Sequence, residues 1–112
     1  MVFLIFWFSV LYSQKPKDGL YKYSIAFAEW DGKSLNATCH VRIKGDSIYI
    51  INDGSVTGTK GQIMDAGLIL KHKRTGKWII AHRPHDIDAK EVGGCGEGPS
   101  VIDFRRKRWW SC

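Results

Sequence analysis

The sequence predicts an all-β domain in which six or seven short strands form an antiparallel meander that curls into a barrel or a half-open barrel. Three observations predict this class. Apolar and polar residues alternate with a period of two after residue 14, turn-forming residues recur about every ten positions, and no stretch of that region has the periodicity of a long helix. A two-sheet sandwich is the alternative, because it uses strands of similar length and spacing.

The N-terminal stretch differs from the rest of the chain. Residues 1–14, MVFLIFWFSVLYSQ, have no charged side chain and include an almost uninterrupted apolar run from Val2 to Leu11. That run is too short to cross a bilayer, which takes roughly 20 residues, but it has the length of a signal-peptide core. We therefore expect a signal peptide at 1–14, one exported domain at 15–112 and no transmembrane segment. An N-terminal core strand is the alternative, since no Lys or Arg precedes the apolar run.

The first two strands are predicted to be joined by a tight turn. In the stretch 19–30, GLYKYSIAFAEW, one face carries Tyr21, Tyr23, Ile25 and Phe27. Asp31-Gly32 then supplies residues that tolerate the positive φ angles of a two-residue hairpin. The next strand is predicted over 34–44, and its inward face carries Leu35, Ala37, Cys39, Val41 and Ile43.

Further strands follow between further turn signals. Gly45-Asp46 leads into a strand at 47–51, and Asn52-Asp53-Gly54 turns the chain before the Gly-rich stretch 55–62, a weak strand or an open loop. Residues 63–73 form the next strand, with Gly67 as a bulge or bend. A hairpin at Arg74-Thr75-Gly76 then leads to a strand at 77–83.

A long loop precedes the end of the chain. Residues 84–99 contain no strand signal, and compact domains rarely keep a loop of that length without a function or a tether. Residues 100–110, SVIDFRRKRWW, are predicted to form one extended strand whose cationic half projects beyond the core.

Three cysteines are present, and in an oxidising compartment two of them are expected to pair. Cys39 lies on an inward strand face between Ala37 and Val41, so we expect it to be buried and unpaired. Cys95 and Cys112 are predicted to form a disulfide, because that bridge would tie the chain end to the long loop.

The charge balance favours anionic partners. The chain has 17 Lys and Arg against 11 Asp and Glu, a formal net charge of +6. We predict a contact surface on the 71–83 hairpin and the terminal strand that binds an anionic glycan or lipid. Its residues are Lys71, Lys73, Arg74, Lys77, Trp78, Arg105, Arg106, Lys107, Arg108, Trp109 and Trp110. Nucleic acid is not an expected partner of an exported protein, and a solvated strand end is the plainer alternative for this run of charges.

A second cluster suggests metal chemistry. His72, His82, His85 and Asp86 lie within a short stretch, and zinc is commonly bound by imidazole and carboxylate groups. No named zinc motif is matched, and solvated histidines near a strand end are the alternative. The chain contains no GxSxG, HExxH or CxxC motif.

These patterns predict a small binding protein, periplasmic or extracellular, rather than an enzyme, and no cofactor except the zinc considered above. One alternative is a metal-assisted hydrolase built on His72, His82, His85 and Asp86. Another is a secreted inhibitor or partner module that docks on a protein through the 84–100 loop.

Overall fold

A computed structural model describes residues 15–112. The predicted signal peptide, residues 1–14, lies outside the described residues. The fold is all-β, as predicted, and its seven strands pair in chain order to form a closed barrel rather than a half-open barrel or a sandwich. The strands are β1 Gly19–Phe27, β2 Thr38–Lys44, β3 Ser47–Asn52, β4 Ile63–Lys71, β5 Trp78–Ala81, β6 Ser100–Asp103 and β7 Arg108–Ser111.

The barrel closes through a parallel pair. Every strand is antiparallel to the next one in sequence, but β1 and β7 run in the same direction, with Ser24 opposite Arg108 and Phe27 opposite Ser111. An up-and-down meander with an odd number of strands must close in this way, because its first and last strands point alike. The prediction of a wholly antiparallel meander is therefore wrong at this one seam.

The barrel interior is filled by side chains from the inward positions of the strands. The period-two pattern predicted this face correctly for Tyr23, Ile25, Cys39, Val41 and Ile43, which are all buried. A smaller cluster of Ile79, Ala81 and Val101 lies on the opposite face of its strands, where Leu70, Val92 and Trp110 cover it. The sheet between β4 and β7 is thus covered on both faces.

The connection from β1 to β2 is longer than the predicted two-residue hairpin. A short 3₁₀ helix at Ala28–Trp30 follows β1, and Asp31 and Gly32 have the expected positive φ angles of 56° and 79°. Leu35 was expected to point inward on a strand, which is wrong: its φ is 45° and it is 63% exposed. The stretch before β2 is therefore a turn, which the alternation of apolar residues did not reveal.

Gly67 has a different role from the predicted bulge. The register between β3 and β4 shifts between Ile50 and Ile51, whose partners are Asp65 and Ile63, so Met64 is the extra residue. Gly67 is required for close approach, because a Cβ there would lie 2.3 Å from the carbonyl oxygen of Ala81.

The terminal segment is a hairpin, so the prediction of one strand over 100–110 is wrong. β6 and β7 pair antiparallel, and residues 104–107 turn between them. The Asp103 carboxylate accepts a hydrogen bond from the backbone N–H of Arg106 at 3.0 Å, and Lys107 has a left-handed φ of 55°. An Asp that bonds the chain ahead of it in this way stabilises a turn.

The long loop is tethered at several points. It contains a 3₁₀ helix at Pro84–Asp88, and the predicted disulfide between Cys95 and Cys112 is present, with the two Cα atoms 4.8 Å apart. Cys39 is unpaired and buried, as predicted. Within 15–112, no helix has the length and apolar character that crossing a bilayer requires.

Candidate functional site

Two turns at one end of the barrel bring the predicted cationic segments together. The turn from β4 to β5 and the turn from β6 to β7 lie on neighbouring strands and flank a groove of about 420 Å³. We call this space the basic groove. Its cationic lining residues are Lys71, Lys77, Arg105 and Arg106, and its aromatic lining residues are Trp78, Phe104 and Trp110.

The aromatic rings provide the apolar surface of the basic groove. The rings of Trp78 and Phe104 are 5.9 Å apart between centroids and inclined at 58°. Both pack against the barrel core on one side, so their outer surfaces have fixed positions. The Nζ of Lys71 lies 5.3 Å from the centroid of the Trp78 ring, a distance at which a cation is attracted to the ring face.

The charge on the groove lining is strongly one-sided. Lys71, Lys77, Arg105 and Arg106 are exposed, and Asp103 is the one acidic side chain among the lining residues. The Asp103 carboxylate is engaged by the backbone of its own turn. A ligand in the groove therefore meets cationic groups in excess, beside an apolar surface.

The long loop supplies the remaining wall. Val92 and Gly93 line the groove, and Gly93 lies so close to Val101 that a Cβ would come within 2.9 Å of Cγ2 of that side chain. The backbone N–H of Gly93 donates to the carbonyl of Pro99 at 2.9 Å. Since Cys95 follows two residues later, the disulfide with Cys112 holds this wall against the barrel.

The other predicted contact residues divide into two groups. Lys73, Arg74, Lys107 and Arg108 are exposed in or beside the same turns, and the Nζ of Lys73 lies 3.7 Å from the Asp88 carboxylate. Trp109 is 6% exposed and its indole N–H donates to Ser100 Oγ at 3.1 Å. Trp109 is thus an interior residue and has no place on the predicted contact surface.

Three of the four predicted metal ligands, His72, His82 and Asp86, are hydrogen-bonded within the chain, and His85 is exposed. His72 is 2% exposed, and its ring nitrogens lie 2.9 Å from Thr75 Oγ1 and 2.7 Å from the carbonyl oxygen of Ala89. The Nε2 of His82 lies 2.7 Å from Asp65 Oδ1. With both of its nitrogens bonded within the chain, His72 connects the β4–β5 turn to the long loop.

Asp86 stabilises the 3₁₀ helix at Pro84–Asp88. Its carboxylate accepts hydrogen bonds from the backbone N–H groups of His82 and Arg83 at 2.9 and 3.2 Å. Burial raises the pKa of Asp86, but these bonds outweigh burial, so its pKa lies below the usual value.

The structure therefore does not bring the four predicted ligands together. Among the described residues, the only three potential ligand groups that lie within 4.8 Å of one another are those of Glu29, Cys95 and Cys112. The two sulfur atoms of that group are joined in the disulfide, so they are not thiolate ligands. This geometry does not favour the hydrolase alternative.

A polar network centred on Asp65 was not expected from the sequence. Ser100 Oγ donates to Asp65 Oδ2 at 2.7 Å, His82 contacts the other carboxylate oxygen, and Trp109 donates to Ser100. A nucleophilic serine needs a base beside its hydroxyl, usually a histidine that a carboxylate orients. Here the carboxylate lies between the serine and the histidine, so His82 is not placed to take the hydroxyl proton.

The groove residues that the sequence missed come from two places. Phe104 was assigned to an extended strand, and Val92 and Gly93 were assigned to a loop of undefined position. Asp103, a residue type that favours turns, could have indicated that Phe104 lies in a turn rather than in a strand. No local sequence feature indicates that Val92 and Gly93 lie at the groove. No family model matches the chain, and no curated protein or solved structure matches it significantly.

Proposed function

We propose that this chain is an exported, non-enzymatic binding protein whose basic groove binds an anionic glycan or lipid. The observation that carries the proposal is the convergence of two cationic turns on one aromatic-lined groove. Lys71 and Lys77 come from one turn region, and Arg105 and Arg106 come from another about thirty residues later in the chain.

Electrostatics supports an anionic ligand. The formal net charge of +6 attracts anions at long range, and the cationic lining of the groove gives that attraction a local focus. Arg106 presents a guanidinium group, which binds carboxylate and phosphate through paired N–H donors. The bound anion therefore carries a phosphate, sulfate or carboxylate group.

The aromatic lining supports a ligand that also has an apolar face. Small-molecule sites combine apolar walls with a few polar groups and usually measure about 300–1,000 Å³. A groove of about 420 Å³ with Trp78, Phe104 and Trp110 among its lining residues fits a sugar ring or the glycerol and upper acyl part of a lipid headgroup.

The disulfide supports export to the periplasm or the extracellular space. Structural disulfides persist in oxidising compartments and are rare where thiols are kept reduced. The Cys95–Cys112 bridge also fixes one wall of the groove, so the proposed site and the proposed compartment fit each other.

Binding measurements on residues 15–112 test the proposal. The probes are vesicles of phosphatidylglycerol, vesicles of phosphatidylcholine, and heparin as a soluble acidic glycan. We expect affinity for phosphatidylglycerol or for heparin, little for phosphatidylcholine, and a loss of affinity as NaCl shortens the screening length from roughly 30 Å at 0.01 M to roughly 8 Å at 0.15 M. A preference between the first two probes identifies the ligand class.

A pair of charge variants separates the groove from net charge. Lys77→Glu with Arg106→Glu should weaken binding about tenfold, since two cationic contacts are replaced by repulsive ones. Arg42→Glu with Lys60→Glu changes the net charge equally at exposed positions outside the groove and should have a small effect. Equal losses in both variants, or no binding at low salt, would refute the proposed site.

A further inference from the structure

The opposite end of the barrel has an opening of a different character. β1 ends there at Phe27 and β7 at Ser111, away from the turns that form the basic groove. The opening has a volume of about 610 Å³, within the range of small-molecule sites. We call it the barrel mouth.

The barrel mouth is continuous with the core. Ile25, Ala37 and Trp109 belong to the core cluster and also line the mouth, and Phe27, Val56 and Met64 pack partly buried against the same cluster. Among residues 15–112, core side chains therefore form the floor of this opening.

The lining of the mouth carries no charge. None of the residues that line it is Asp, Glu, Lys, Arg or His, in a chain of which 25% is charged. A charged ligand would lose its hydration there without gaining an opposite charge. Among the described residues, the hydroxyl groups of Ser34, Thr57 and Ser111 line the mouth without a side-chain hydrogen bond of their own, so they can bond a polar uncharged group.

The rim exposes large apolar side chains in a strained segment. Trp30 is 46% exposed and Leu35 is 63% exposed, and both line the mouth. Leu35 and Asn36 have consecutive left-handed φ angles of 45° and 69°. That conformation is unfavourable for a branched side chain such as leucine, and strained residues cluster where a ligand is held.

We propose that the barrel mouth is a second ligand site, and that it binds an uncharged amphiphile: an apolar chain or ring that carries hydroxyl or similar neutral polar groups. The apolar part lies against Val56, Met64 and Trp109, and the neutral polar part faces the hydroxyl groups at the entrance. The proposal does not depend on the basic groove, because the two sites lie at opposite ends and differ in charge.

Two related fluorescent probes test this assignment on residues 15–112. N-phenyl-1-naphthylamine is uncharged, and 1-anilinonaphthalene-8-sulfonate is its anionic relative. The uncharged probe should bind with a saturable fluorescence increase at one molecule per chain, quench tryptophan emission by energy transfer, and keep its affinity when NaCl is raised. Any binding of the sulfonate should instead weaken with salt and with Lys77→Glu/Arg106→Glu.

Three variants assign the uncharged probe to the mouth. Val56→Lys places a charge in the lining, and Thr59→Lys adds the same charge at an exposed position of the same loop outside it. Leu35→Asn removes an apolar side chain from the rim but introduces a residue that tolerates the left-handed region. We expect about a fivefold or greater loss of affinity in Val56→Lys and Leu35→Asn, none in Thr59→Lys, and an unchanged or higher melting temperature in Leu35→Asn.

Three results would contradict binding at the barrel mouth. Non-saturable binding, equal affinity in Val56→Lys and Thr59→Lys, or loss of the uncharged probe in the groove variant would overturn the assignment. Sedimentation of the same samples covers a further outcome: a dimer that Val56→Lys dissociates, with no probe binding, would make the mouth an interface between copies and refute the ligand site.

Discussion

The indole N–H of Trp109 donates to Ser100 Oγ at 3.1 Å, and that hydroxyl in turn donates to Asp65 at 2.7 Å. This chain of bonds connects β7, β6 and β4 inside the barrel, where Trp109 is almost fully buried. The three groups satisfy one another, so removing the middle one leaves a buried donor and a carboxylate short of a partner.

Ser100→Ala should therefore lower the free energy of unfolding by about 1–3 kcal/mol, the usual penalty for leaving a buried polar group unsatisfied. Urea denaturation followed by tryptophan emission measures it. Ser47→Ala is the matched control, because Ser47 is also a half-buried strand serine but has no side-chain hydrogen bond among the described residues. Equal effects of the two changes would show that the network contributes little.

Reduction of the disulfide should destabilise the folded state. Cys95 and Cys112 are 17 positions apart, and closing a loop of that size contributes on the order of 3 kcal/mol through the unfolded chain. Urea denaturation of the oxidised protein and of Cys95→Ser/Cys112→Ser gives the difference. If the two midpoints coincide, the bridge does not stabilise the barrel.

Thiol labelling should distinguish the three cysteines. Burial, with a smaller contribution from Asp53, raises the pKa of the fully buried Cys39 thiol to about 12, so native protein should not react with iodoacetamide. Reduction of the native protein should expose Cys95 and Cys112 to the reagent, and Cys39 should react only after unfolding. Early modification of Cys39, read by peptide mass spectrometry, would contradict the buried placement.

Asp53 should make stability depend on acid. The hydrogen bond from the Thr38 hydroxyl, followed by bonds from Ser55, holds its pKa at about 2 against an ordinary value of 3.8. A carboxyl whose pKa is lower in the folded state stabilises above its unfolded value, and that stability is lost as pH falls from about 4 to about 2.

Asp53→Asn should therefore flatten the fall in melting temperature over that pH window and be less stable than the parent at pH 7. Asp31→Asn is the control, since Asp31 is an exposed carboxylate with no side-chain hydrogen bond within the described chain. An unchanged acid slope in Asp53→Asn would show that other carboxyl groups control the acid response.

Gly67→Ala should destabilise the sheet, because the new methyl group would meet backbone at Ala81, which cannot rotate away. Overpacking of this kind costs about 1–3 kcal/mol, measurable by thermal or urea denaturation. Gly94→Ala is the matched control, since a Cβ at Gly94 meets nothing within 4 Å. Similar stabilities of the two variants would remove close packing as the reason for glycine at position 67.

The sequence predicted the barrel core well because burial follows from alternation along one strand. Tyr23, Ile25, Val41 and Ile43 could be assigned inward from neighbouring residues alone, and all four are buried. The cysteine pairing followed from the inward position of Cys39, which left Cys95 and Cys112 as partners.

The strand predictions were wrong where the alternation of apolar and polar residues continues through a turn. Phe104 and Arg106 extend the pattern of Ile102, yet the chain reverses there, because the Arg106 backbone N–H donates to the Asp103 carboxylate and Lys107 has a left-handed φ. Leu35 likewise extends the pattern of Ala37 and Cys39 but lies in a turn with positive φ. In both segments local hydrogen bonds form a turn, and the alternation of polar and apolar residues does not reveal such bonds.

The candidate sites are formed by residues that lie far apart in the sequence, and a sequence pattern does not show which of them are close in space. The charges at 71–77 and 105–108 could be grouped by sign, but Val92 and Gly93 reach the basic groove only through the tethered loop. The ring of His72 is bonded to Ala89, 17 residues later, so a histidine that was a reasonable zinc ligand in the sequence proves to be structural.

The parallel seam between β1 and β7 has a consequence for how the protein is made. β1 gains its second neighbouring strand only after residues up to Ser111 have been synthesised, so the barrel cannot close before then. Contacts so distant in sequence form slowly, and until then one border of β1 has no partner strand. The last step of barrel assembly would therefore be the pairing of β1 with β7.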